Sequence, residues 1–114
     1  YTARVVHLGP PGSGQLAKLA NQVAIAGTVR GLAEAVALAR AGGIDVAALL
    51  DALAGGTAAS RQLERTRDDW VAGRPFEAAF AWLAKDLALA LEEAEHPHVE
   101  LPMVARIAQL LEAP

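Results

Sequence analysis

One run of sequence restricts the possible folds more than any other. After a glycine-rich turn, Gly9-Pro10-Pro11-Gly12-Ser13-Gly14, the residues from Gln15 to Ala41 continue for about 27 positions with no proline and a helical apolar rhythm, roughly twice the usual helix length. Leu16, Leu19, Val23, Ala26, Val29, Ala33 and Val36 recur at threes and fours along one flank, and Ile25, Leu32 and Leu38 widen the apolar surface. A helix that oily all round is expected to pack on more than one side. Lys18 falls in its first or second turn. At about 100° per residue, Asn21 and Gln22 lie about 60° and 40° to either side of Lys18. An ammonium and two amides therefore share one face where packing alone would prefer leucine or alanine.

The rest of the chain reads as shorter helices with short connections. Gly42-Gly43 stops the long helix. Asp45 is placed to cap a second helix bearing Val46, Leu49, Leu50 and Leu53, which Gly55-Gly56 ends. Ser60 opens a charged third helix with a narrow seam of Leu63, Thr66 and Trp70, and Gly73 and Pro75 break it. In that helix Arg61 to Glu64 and Arg65 to Asp69 are ion-pair spacings, which marks a solvated outer face. A fourth helix is expected from about Phe80 to Ala94, with Leu83, Leu87 and Leu91 stacked. Pro102 starts a fifth that runs to about Leu111. The expected fold is all-α, with about five helices. Only Thr2 to Leu8 has the β-branched alternation of a strand, and such a strand would be the last of a sheet whose other strands lie elsewhere.

At 114 residues the chain is one domain that can bury a core without disulfides or metals. It has no cysteine, which rules out a thiol nucleophile and fits a reducing, cytoplasmic compartment. Charged residues interrupt the chain too often for an apolar run near the ~20 residues of a membrane span. A soluble protein with no membrane partner is expected. The net charge of −3 argues against nucleic acid. The charge is uneven, however: no Asp or Glu precedes Glu34, whereas Arg4, Lys18 and Arg30 do. A positive surface around Lys18 is expected if the fold brings no distant carboxylate to it, and it would suit a small anion. The chain begins at Tyr1 rather than methionine, as a piece of a longer protein would.

Several motifs fail on inspection. Gly12-x-Gly14-x-x-Ala17 imitates a dinucleotide fingerprint, but the following helix continues where a second strand should begin. A P-loop is excluded because Lys18 neither follows a glycine nor precedes Ser or Thr. His96 and His98, with His7 far off, fall short of the three or four supported ligands a metal requires, and no metal site is expected. Trp70 and Trp82 read as core or interface anchors. Lys18 reads two ways. It is either a solvated surface lysine or a group for proton transfer, held at a helix start where the dipole opposes its charge and no acid lies within four residues.

Taken in order, Gly9-x-x-Gly12-x-Gly14, Gln15-Leu16-Ala17-Lys18-Leu19-Ala20-Asn21-Gln22, Ala33-Glu34-Ala35, Gly43-Ile44-Asp45, Gly55-Gly56 with Ser60, Phe80-x-x-x-x-Lys85-Asp86-Leu87 and Leu101-Pro102 closely resemble the C-terminal domain of the β-hydroxyacid dehydrogenases. This family includes 3-hydroxyisobutyrate dehydrogenase and tartronate semialdehyde reductase, and its helical domain is similar to that of 6-phosphogluconate dehydrogenase. The resemblance covers nearly the whole chain.

The resemblance implies a two-domain enzyme in which residues 1–14 finish an N-terminal Rossmann domain and its linker, and residues 15–114 form the helical substrate and oligomerisation domain. It implies that Lys18 is the catalytic acid/base. Gly12, Gly14, Asn21, Gln22 and Asp86 would lie at the substrate, and Lys85 at the NAD or NADP held mainly by the other domain. The implied substrate is a small anionic hydroxy acid or semialdehyde, since imine-reducing relatives usually replace the lysine. The implied partners are the chain's own Rossmann domain and further copies of itself. The alternative is a stand-alone helical dimerisation module that keeps the scaffold without the chemistry.

Overall fold

A computed structural model describes residues 13–112 except position 97. The expected strand at Thr2–Leu8, the first part of the glycine turn with Gly12, and His7 lie outside the described residues. Six α-helices follow in order: α1 Ser13–Ala41, α2 Val46–Ala54, α3 Arg61–Ala72, α4 Phe76–Ala79, α5 Ala84–Glu93 and α6 Pro102–Leu111, with a single 3-10 turn, Ala81–Leu83, before α5. The described residues contain no strand, and the fold is all-α as expected.

Local chemistry sets most of the boundaries. The backbone N–H of Ala48 donates to Asp45 Oδ2 at 3.0 Å and that of Leu63 donates to Ser60 Oγ at 3.0 Å, so both capping residues perform as the sequence indicates. Two helices end in the same left-handed turn. Gly43 has φ 79° and Gly73 φ 73°. In α1 the N–H of Ile44 donates to Ala39 O at 2.9 Å and that of Gly43 to Arg40 O at 3.0 Å. In α3, Arg74 and Gly73 repeat the pattern onto Asp69 and Trp70 at 3.0 and 3.1 Å. α2 ends at Gly55 without that turn, its φ being −90°.

The long helix is the spine. α5, α3, α6 and α2 all pack against it, which bears out packing on more than one side. Leu19, Ala26, Val29, Leu32, Val36 and Ala39 of α1 are buried, and Leu50, Leu63, Leu83, Leu87, Val104 and Ile107 close over them. By length and composition α1 could also cross a bilayer, contrary to the expectation that no run approaches that size. Its buried stripe makes it the central helix of this domain.

The fourth expected helix, from about Phe80 to Ala94, starts late: a 3-10 turn occupies Ala81–Leu83 before α5, and the short α4 precedes the expected start. Phe76 and Phe80 are both buried and sit with ring centroids 5.3 Å apart, and Phe80 lies another 5.3 Å from the ring of Trp70. With Phe80 stacked between Phe76 and Trp70, the chain runs from α4 through the 3-10 turn into α5 and not as one helix. Trp70 is 3% exposed and its Nε1 donates to Thr66 Oγ1 at 2.8 Å. Trp82, in contrast, is 55% exposed and is no part of the core.

Candidate functional site

Two of the residues singled out from the sequence meet across 64 positions of chain. Gln22 Nε2 on α1 donates to Asp86 Oδ2 on α5 at 2.9 Å, in a partly buried setting. An ionised carboxylate can only accept, so this contact fixes which end of the Gln22 amide faces α5. Asp86 belongs to the first turn of α5, where an acid is favoured by the helix dipole. The packing of α5 on α1 is what brings them together.

Beside this contact lies a cavity of about 380 Å³ between α1, α3 and the segment around the 3-10 turn. Asn21, Gln22 and Ile25 form its α1 wall, Gln62, Arg65, Thr66 and Asp69 its α3 wall, and Phe80 and Trp82 part of the remainder. Lys18 stands one turn before Asn21 and Gln22 on the same face of α1, within the ~5–6 Å that separates such neighbours. It is exposed and makes no ion pair among the described residues. Lys85 is likewise exposed and free of ion pairs among them.

Four expectations need correction. α1 begins at Ser13, so Gly14 is in its first turn and not in a preceding loop. A Cβ at Gly14 would meet nothing within 4 Å, and this domain alone gives no packing reason for a glycine there. Lys18, the sixth residue of α1, lies beyond the single turn over which the dipole acts strongly; the helix start therefore does not supply its special environment. The surface near Lys18 is not free of acids, because α5 returns Asp86 to Gln22 and Glu93 lines a small cavity with Gln15, Leu16 and Leu19. Finally, Asp69 does not pair with Arg65. Arg74 Nη1 reaches Asp69 Oδ1 at 2.7 Å around the Gly73 turn, and Arg67 bonds Asp51 of α2 at 2.9 Å.

Gln62, Arg65 and Trp82 were not assigned to a site from the sequence, which read Arg65 as an ion-pair partner and Trp82 as an anchor, yet they line the cavity. A signal was present: Gln62, Arg65, Thr66 and Asp69 repeat at helical spacing beside the buried seam of Leu63, Thr66 and Trp70. Read as a solvated face, that stripe concealed a cavity wall.

The described residues fit only the edge of a nicotinamide dinucleotide. Lys85 offers an unpaired ammonium that can donate to a phosphate or amide oxygen, and the strand ends that cradle a pyrophosphate in such folds are not among them.

Residues 12–114 match the model of a family described as NAD-binding of NADP-dependent 3-hydroxyisobutyrate dehydrogenase. Among similar chains, an uncharacterised oxidoreductase of Shewanella frigidimarina is 41% identical over 103 residues, covering 90% of this chain and 35% of that protein. A probable mitochondrial 3-hydroxyisobutyrate dehydrogenase-like protein of Arabidopsis thaliana is 37% identical, covering 94% and 32%. The 2-hydroxy-3-oxopropionate reductase of Escherichia coli is 36% identical, covering 90% and 36%. The chain thus spans about a third of the length of these relatives.

Proposed function

The chain belongs to the NAD-binding family of NADP-dependent 3-hydroxyisobutyrate dehydrogenase, and from that membership we propose that it is the substrate-side helical domain of an NAD(P)-dependent oxidoreductase. Its substrate is a small hydroxy acid or the corresponding semialdehyde, in keeping with the names its relatives carry. The observation that carries this reading is the 2.9 Å hydrogen bond from Gln22 to Asp86. It ties the polar face of α1 to the Lys85-Asp86 pair of α5 at the rim of a cavity, as a substrate site shared by the two helices requires.

In this reading the nicotinamide cofactor supplies hydride exchange at the carbinol carbon. Oxidising an alcohol also requires the hydroxyl proton to leave, and reducing a carbonyl requires one to arrive. Lys18 is the group that takes and returns that proton. Asn21 and Gln22 hold substrate oxygens one turn further along α1, and Asp86 keeps the Gln22 amide in place. Lys85 contacts the cofactor. Lys18 is exposed in this domain, so water is excluded from around it when a dinucleotide-binding domain closes over α1, and that domain holds most of the cofactor.

The test is Lys18→Ala in the full-length protein. General acid–base catalysis contributes roughly a hundredfold to ten-thousandfold, and kcat is expected to fall by that much with folding and cofactor binding retained. Unchanged turnover would remove the catalytic role and favour a helical association module.

A further inference from the structure

The cavity next to Gln22 contains a cation that the proposed reaction does not yet use. Arg65 lines its α3 wall, opposite Asn21 and Gln22. Its residue is exposed, and the acid one turn on that would neutralise it, Asp69, is engaged by Arg74 at 2.7 Å. Glu64, its neighbour, lines a different cavity with Arg61 and Ser60. Among the described residues Arg65 therefore makes no ion pair. The one other charged residue lining the cavity, among the described residues, is Asp69, which Arg74 already balances. The remaining polar lining is neutral: the amides of Asn21, Gln22 and Gln62 and the Thr66 hydroxyl, which donates back to Gln62 O.

We propose that Arg65 is a specificity-determining residue, the cation that receives the carboxylate of a hydroxy acid lying along Asn21 and Gln22. This deepens the reading of α1 as a substrate face and rests on it. Lys18 is occupied with the proton of the reacting hydroxyl, Lys85 with the cofactor, and Asp86 sets a carboxylate against Gln22 on the α5 side, so the substrate's anion is drawn towards α3. A guanidinium presents a planar fork that matches a carboxylate, and Lys is a poorer substitute at such a site. The carboxylate stays an anion throughout the reaction, so its contact with Arg65 is equally strong in the bound substrate and the transition state. Arg65 thus governs KM and leaves kcat alone.

The experiment uses the full-length protein with NAD(P) and two probes, 3-hydroxyisobutyrate and its methyl ester, in Arg65→Gln, Arg65→Lys and Arg61→Gln variants. Arg65→Gln is expected to raise KM for the acid by about tenfold to a hundredfold, with kcat within about twofold and KM for the ester unchanged. Arg65→Lys should fall between, and Arg61→Gln, on the neighbouring cavity, should behave as wild type. In parallel, the Arg65 side-chain N–H resonance should move on titration with the acid and stay fixed with the ester, a readout that needs no turnover. The proposal is overturned if Arg65→Gln leaves the acid's KM unchanged, if Arg61→Gln raises it equally, or if the resonance ignores the acid. Lys18→Ala separates the two levels. Activity abolished there with Arg65 indifferent defeats only the Arg65 assignment, whereas full activity in Lys18→Ala defeats the reading beneath it.

Discussion

Asp86 is the residue on which the site's geometry turns. Its carboxylate is half-buried and accepts from Gln22, a side-chain hydrogen bond between the amide face of α1 and the start of α5. A hydrogen bond to a charged group is worth about 1.5–3 kcal/mol net, and its exposed side discounts that towards the lower end. Asp86→Ala should therefore lower unfolding stability by about 1–2 kcal/mol in urea titration. It should lower kcat/KM of the full-length protein by more than stability alone explains, because Gln22 is then free to turn. Asp86→Asn keeps an acceptor oxygen of the same shape and should retain most of both. If Asp86→Asn and Asp86→Ala are equally damaged, the charge and not the positioning of Gln22 is what matters. Lys18, Asn21 and Gln22 were legible from spacing alone because they share one helix, whose geometry is fixed once the helix is recognised. The bond to Asp86 was not legible, since nothing local to residue 22 specifies which part of a later helix will pack on it.

At the scale of the elements, the ends read well and the interiors between them less so. Asp45, Ser60, Pro102 and the Gly42-Gly43 stop act through atoms within a few residues, and each boundary falls where its chemistry places it. The break between α4 and α5 is decided by Phe76, Phe80 and Trp70 meeting in the core, a tertiary demand that helical periodicity does not carry. The Arg65 to Asp69 pairing failed for a related reason. Spacing on a helix identifies neighbours, but a left-handed turn at Gly73 folds Arg74 back onto the same carboxylate. These turns also separate two kinds of glycine. Gly31 is exposed in mid-helix, and a Cβ there would meet nothing within 4 Å. Gly31→Ala should stabilise the domain by about 0.5–1 kcal/mol through helix propensity. Gly43 and Gly73 hold positive φ, and either one changed to alanine should instead cost about 1–2 kcal/mol. Thermal unfolding of the three variants checks the contrast. A gain at Gly43 or a loss at Gly31 would mean that the turn, or the solvent face of α1, is not arranged as described.

The described residues span 49 × 36 × 20 Å, and the thin dimension is only about two helix diameters. A slab of that thickness leaves part of α1 uncovered, and only 28% of its most apolar stretch is buried. Leu16, Leu38, Ile44, Trp82 and Val99 are all more than half exposed. Leu16 and Val99 also edge an apolar groove of about 330 Å³ between α1, α5 and the approach to α6. Exposed apolar surface on this scale marks contact with other protein, and the chain is a third of the length of its relatives. The purified chain should accordingly do two things. It should self-associate, with the sedimentation coefficient rising as concentration increases, because its exposed apolar faces have only further copies of itself to meet. It should also show no NAD(P)-dependent oxidation of 3-hydroxyisobutyrate, because an exposed Lys18 and an uncradled dinucleotide would leave the proposed proton acceptor and the hydride acceptor unassembled. A monomer at every concentration would show that the apolar faces are tolerated in water. Measurable turnover would place a complete active site within these 114 residues, and the division of labour with a second domain would have to be abandoned.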